Sequence, residues 1–164
     1  NVTEATALQS IWALNLDSED EPEPLVSFGF TVDEPHVSPD GRWLAYSSQE
    51  SGRWEVYVEP YRREGERIRV SVDGGGQPKW RGDSQELFFA GVNGDLMSVA
   101  FRAEGDRAEV DLPTKLFELG GFLGPEYDDY APSSDGERFL VKVPVEESQV
   151  VQIHVVTNWQ SLLE

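Results

Sequence analysis

Cysteine is absent from this 164-residue chain, which removes disulfide frameworks, thiolate metal sites and thiol nucleophiles together. A cysteine-free sequence suits the periplasm and the cytoplasm equally, so the compartment is left open. Basic residues are scarce: 13 Lys and Arg against 31 Asp and Glu give a formal charge of −18, with no basic stripe to interrupt it. Such a field repels nucleic-acid backbones and anionic membrane surfaces, and neither is an expected partner. The acidity reads first as solubility. No apolar run reaches the length of a transmembrane helix and no signal peptide opens the chain, so membrane insertion of this segment is not expected. A start at Asn1 without methionine reads as a processed product or a fragment.

What the chain does contain is apolar residues at 38% and aromatics at 11%, which place it among globular proteins, and an internal repeat. Pro35, Asp40 and Leu44 recur 43 residues on as Pro78, Asp83 and Leu87, and a third copy carries Asp135 and Phe139, displaced by a further 52. Periods of about 40 to 50 residues belong to propeller blades. Asp40-Gly41 and Asp135-Gly136 supply the carboxylate and the positive-φ residue of a tight reversal, whereas the second copy has Asp83-Ser84 there.

After each reversal comes a run rich in aromatic and aliphatic residues, at 43–46, 86–89 and 138–141, as expected of a strand buried on both faces. Leu44, Leu87 and Phe139 are its equivalent buried positions. A second reversal, Asn93-Gly94 in one copy, leads to alternating third strands at 54–58, 96–101 and 151–156; outer strands follow at 68–72 and 115–119. The fold class is thus all-β: β-propeller blades of four antiparallel strands, two complete and two partial. Blade units span about 1–32, 33–76, 77–124 and 125–164, with glycines at 74–76 and 120–121 marking crossings. Residues 11–16 and 24–28 form the partial first blade. The helical candidates at 3–9 and 160–164 are too short to stand alone.

The stretch from Asp33 through Pro35, Ser38-Pro39-Asp40-Gly41 and Trp43-Leu44-Ala45-Tyr46 resembles the repeat of TolB-like (WD40-like) β-propellers. With Gly74-Gly75-Gly76-Gln77-Pro78, Glu86-Leu87-Phe88-Phe89 and the ending Val155-Val156-Thr157-Asn158-Trp159, it is most similar to the C-terminal propeller of bacterial serine/threonine protein kinases. The likeness runs from Ile11 to Trp159. It implies a recognition module of a larger bacterial protein, binding a protein or small ligand at the propeller face, in a periplasmic or other extracytoplasmic setting. The same repeat decorates peptidases, so the rivals are an accessory propeller of a hydrolase such as an oligopeptidase and a self-assembling structural propeller fragment. No kinase signature is present.

No catalytic residue, cofactor or metal site is expected. There is no Gly-x-Ser-x-Gly elbow, and His36 and His154 occupy unrelated blade positions and read as structural. Glu126, Asp128 and Asp129, with Asp135, have oxygen ligands suited to calcium but lack the spacing of a calcium loop, and read as a solvated acidic loop. Trp43, Trp54, Trp80, Tyr57 and Tyr61 read as filling between blades before they read as a ligand platform. Partial blades at both ends lead to the expectation of a homodimer, with a self-closed monomeric ring as the alternative.

Overall fold

The computed structural model describes residues 8–17, 19–105, 107–120, 128–143 and the backbone of 154–157. Among them there is no helix, and the strands pair antiparallel. The first sheet is the pair β1 (Ile11–Ala13) and β2 (Glu23–Val26). The second runs through β3 (Val32–Val37), β4 (Trp43–Ser48), β5 (Glu55–Pro60) and β6 (Ile68–Arg69). The third contains β7 (Gly75–Trp80), β8 (Glu86–Gly91), β9 (Asp95–Glu104), β10 (Arg107–Val110) and β11 (Thr114–Glu118). The fourth is β12 (Tyr130–Pro132), β13 (Arg138–Val141) and β14 (His154–Thr157). In the second and fourth sheets spatial order follows chain order, the up-and-down construction of propeller blades.

The reason the sheets stack lies in the second strands, whose alternate side chains face opposite neighbours. Leu44 and Tyr46 face the first sheet, packing with Ile11, Val26 and Val32, while Trp43 and Ala45 face the third sheet. Leu87 and Phe89 point back at that same cluster, and Phe88 and Ala90 point forward to Leu116, Tyr130 and Phe139. Leu44, Leu87 and Phe139 therefore occupy the same place in three successive inter-sheet cores, each almost wholly buried.

Several strands differ from the sequence reading. The ten-residue β9 continues past its partner β8, and from Phe101 onward it folds back at Gly105 into β10, a strand the repeat pattern does not show. The extension sets Phe101 edge-on to both Trp43 and Trp80, with centroids 5.2 and 4.9 Å apart, and so clamps the second sheet to the third. Strand β5 does not alternate: it is buried along nearly its whole length, because sheets cover both its faces. Its buried Glu55 is held by Arg53 Nε at 2.7 Å and by the Ser71 hydroxyl. Ser71 also accepts from Val56 N, at 2.8 Å, and the outer strand β6 shrinks to two residues. Strand β13 alternates, with Phe139 inward and Leu140 exposed, instead of burying both faces. Gly75 and Gly76 belong to β7 and not to a crossing. A Cβ on Gly75 would lie 2.7 Å from the Ala90 carbonyl oxygen, so glycine is what lets β7 begin against β8. Residues 1–7, 121–127, 151–153 and 158–164, which carry most of both helical candidates and the start of the last third strand, lie outside the described residues.

Candidate functional site

The turn residues singled out by the repeat form one layer. Asp40 Oδ1 accepts from the Ser38 hydroxyl and from Arg42 N at 3.1 Å. Asp135 Oδ1 repeats this with Ser133 and with Glu137 N at 3.0 Å, and these bonds hold its carboxyl below the ordinary range. In the second copy the Arg81 guanidinium replaces the serine, gripping Asp83 at 2.9 and 2.8 Å and lowering its carboxyl, while Asp83 caps Gln85 N. The three aspartates each cap the backbone two residues on, the Asx-turn role. Gly41 and Gly136 have φ of 73° and 74°, and Ser84 adopts 61° in their place.

The second copy's departures from Pro-Asp-Gly have a physical reason. Gly82 stands where the first copy has Pro39, and its N–H donates to the Ser134 carbonyl of the fourth sheet at 2.9 Å, a bond proline cannot make. A Cβ there would lie 2.7 Å from the same carbonyl oxygen. Ser84, at the glycine position, accepts from Asp40 N of the second sheet at 3.1 Å. Both substitutions join neighbouring sheets.

A polar ladder crosses the inner strands. Glu34 and Gln77 precede the repeat prolines at the 43-residue offset, and Asp129 follows at 52. Glu34 and Gln77 have φ of 53° and 58° and sit at bulges in β3 and β7, which turns their side chains toward the next sheet. The Glu34 carboxyl accepts from Gln77 N, and Gln77 Oε1 accepts from Asp129 N at 2.9 Å, so each rung caps the backbone of its successor. Gln77, fully buried, also donates Nε2 to Asp129 Oδ2 at 2.7 Å and receives the Tyr130 hydroxyl on its carbonyl oxygen at 2.7 Å. Burial raises the Tyr130 hydroxyl well above its usual value. Burial also pushes the Glu34 carboxyl up to about 8, against the lowering by its bonds from Gln77 N and Ser47. The sequence reading missed this ladder; its signal was a polar residue before the proline position at the same two offsets.

Beside the ladder, side chains from three sheets meet at an open edge. Lys79 Nζ is 2.6 Å from Asp128 Oδ1 and 3.5 Å from His36 Nε2, and Lys142 Nζ is 3.1 Å from Asp129 Oδ1. The bond from Lys79 lowers the Asp128 carboxyl. Burial first, and then the Lys79 charge, lowers the His36 imidazole, which is therefore neutral near pH 7. A cavity of about 310 Å³ opens here, lined by Lys79, Asp128, Tyr130, Ala131, Leu140 and Lys142. Alternating charges around an apolar floor hold polar or zwitterionic groups by ion pairing and hydrogen bonding. Among the described residues, His36 Nε2 faces the Lys79 ammonium.

Asp128 and Asp129 turn toward the two lysines, and Asp135 stays in its turn; Glu126 lies outside the described residues, as does the His154 side chain. Among the described residues no group of three His, Asp or Glu converges as metal ligands would. Trp43, Trp80 and Tyr57 are buried between sheets, and Trp54 and Tyr61 are partly buried.

No protein-family model matches the chain, and comparison with curated proteins gives no match. Among solved structures it is similar to TolB from Acinetobacter baumannii, with 16% identity and a TM-score of 0.48. The likeness covers 91% of this chain and 46% of that one, so the chain spans a little under half of TolB's length.

Proposed function

We propose that the chain is a non-catalytic propeller-type recognition module, the interaction part of a larger extracytoplasmic bacterial protein resembling a propeller-bearing serine/threonine kinase. The observation that carries this reading is the edge where Lys79, Asp128 and Lys142 line one cavity between the third and fourth sheets, with His36 of the second sheet beside Lys79. Loop-rich, charge-lined ends of stacked sheets are where such folds bind partners. The ligand is a peptide segment of another protein or a small polar molecule.

Panning a random peptide display library over the full chain should enrich one sequence class. Reversing the charges with Lys79→Glu and Asp128→Lys should weaken the selected peptide about tenfold or more. Equal binding by the charge-reversed chain, or no enrichment, sinks this assignment.

A homodimer is part of the same proposal. Trp12 on the two-stranded first sheet and Leu14 and Leu16 just after its first strand are exposed, at 56%, 60% and 88%. Apolar surface beside a short sheet is buried by pairing with another copy. Sedimentation at micromolar concentration is expected to give twice the chain mass of 18.4 kDa; a single-chain species that is unchanged from dilute to concentrated solution overturns the dimer.

A further inference from the structure

We propose that the Glu34 carboxyl is a proton-operated latch between the second and third sheets, closed when protonated and released when ionised. The geometry accommodates a neutral acid at the seam. One oxygen, Oε2, receives both Gln77 N and the Ser47 hydroxyl, the latter at 3.1 Å, which uses the two lone pairs of a carbonyl-type oxygen and leaves Oε1 to carry the proton. Among the described residues the half-buried Glu34 forms no ion pair, unlike the buried Glu55, which has Arg53 against it.

Of the charges around the latch, Asp33 opposes loss of the proton and Lys79 favours it, and burial outweighs both. Asp33, next to Glu34 on β3, faces it with a carboxylate whose Oδ1 already accepts from Glu34 N at 2.8 Å. Ser47, from β4, is neutral. From β7 the facing cation is Lys79, committed to Asp128 at 2.6 Å, and His36 on β3 is neutral. The fourth sheet adds Asp128, Asp129 and the Tyr130 hydroxyl, and its cation Lys142 is paired with Asp129. An ionised Glu34 therefore gains more by turning out to water than by staying in the seam. When it turns, Gln77 N loses its acceptor, and Gln77 is the residue that carries the ladder on to Asp129. The folded chain keeps a proton that the unfolded chain releases near pH 4.5. Stability of the seam is thus full below that pH, is lost as pH rises through about 8, and is level above.

The test is hydrogen exchange of the Gln77 amide in the full chain, corrected for intrinsic base catalysis, between pH 6 and 9. Protection is expected to fall roughly tenfold or more across the window in the parent chain and to stay level in Glu34→Gln, whose amide oxygen accepts from Gln77 N at every pH. Level protection in the parent, or the same fall in Glu34→Gln, overturns the latch. Should the variant fail to fold, carbon-13 titration of the Glu34 carboxyl in the parent decides. A midpoint near 8 that is shared by the Gln77 amide shift supports the latch, and a midpoint near the ordinary 4.5 overturns it.

Discussion

Replacing Gln77 with alanine is expected to destabilise the chain by about 3 kcal/mol, well beyond the loss of one ordinary hydrogen bond. Truncation removes the acceptor of Asp129 N and the donor to Asp129 Oδ2, and both partner groups belong to a residue that is almost wholly buried. A buried donor left unpaired costs roughly 1–3 kcal/mol, and a carboxylate deprived of a donor costs more than a neutral acceptor. Lys142 still pairs with Asp129 and limits the loss. Backbone strain does not change, since alanine meets the same restriction as glutamine at a φ of 58°. Urea denaturation measures the effect, with Tyr130→Phe as the comparison: that change removes one bond to the Gln77 carbonyl and should cost about 1 kcal/mol. Equal costs for the two variants would show that the side chain of Gln77 does not join the third sheet to the fourth.

Leu87→Ala is the second large effect, with an expected loss of about 2–5 kcal/mol, the range for leucines truncated in a packed core. Leu87 is 1% exposed, between Trp80 and Val99 on neighbouring strands and the Trp43 face of the second sheet. The upper half of that range applies because the surrounding Trp43, Trp80 and Phe101 rings are locked edge to face and cannot collapse into the space. Thermal and urea unfolding read the loss. A change below about 1 kcal/mol would mean that the core between these sheets is not close-packed.

Proton-dependent loosening at Glu34 and truncation at Gln77 act on the same ladder from opposite sides. Their effects should therefore fail to add: in Gln77→Ala the ladder already ends at the third sheet, and the pH response of the fourth sheet disappears. The proposed binding edge at Lys79, Asp128 and His36 lies beside that ladder, so charge reversal there is best read at a fixed pH below the Glu34 transition.

Much of the architecture was legible because its signals are local. Asp40-Gly41 and Asp135-Gly136 announce reversals through a carboxylate that caps its own backbone and a residue that tolerates positive φ. Runs such as 86–89 announce buried strands by having no polar alternation to expose. The length of β9, the shortness of β6 and the near-complete burial of β5 were not legible, since each depends on what the neighbouring sheets cover. A strand alternates only where one face is free, and the sequence does not say which face that is.

The candidate site shows the same division more sharply. Asp129 looked like part of an acidic loop, and Glu34 and Gln77 looked like ordinary polar residues before a proline. Only bulges in β3 and β7, together with sheets packed close enough for one side chain to reach the next backbone, turn them into a ladder. Gly82 and Ser84 looked like a weakened turn, yet both are inter-sheet bonds. By itself, then, the sequence determined the all-β class, the repeat, the turn chemistry and the residues that point into each core, because hairpins and side-chain alternation are encoded within a few residues. The tertiary structure alone decided which polar groups are buried, which carboxyls hold or lose their protons, and where three sheets bring opposite charges to one edge. Burial and electrostatic coupling depend on residues 43 to 52 positions apart in the chain, and their strength is set by distance in space.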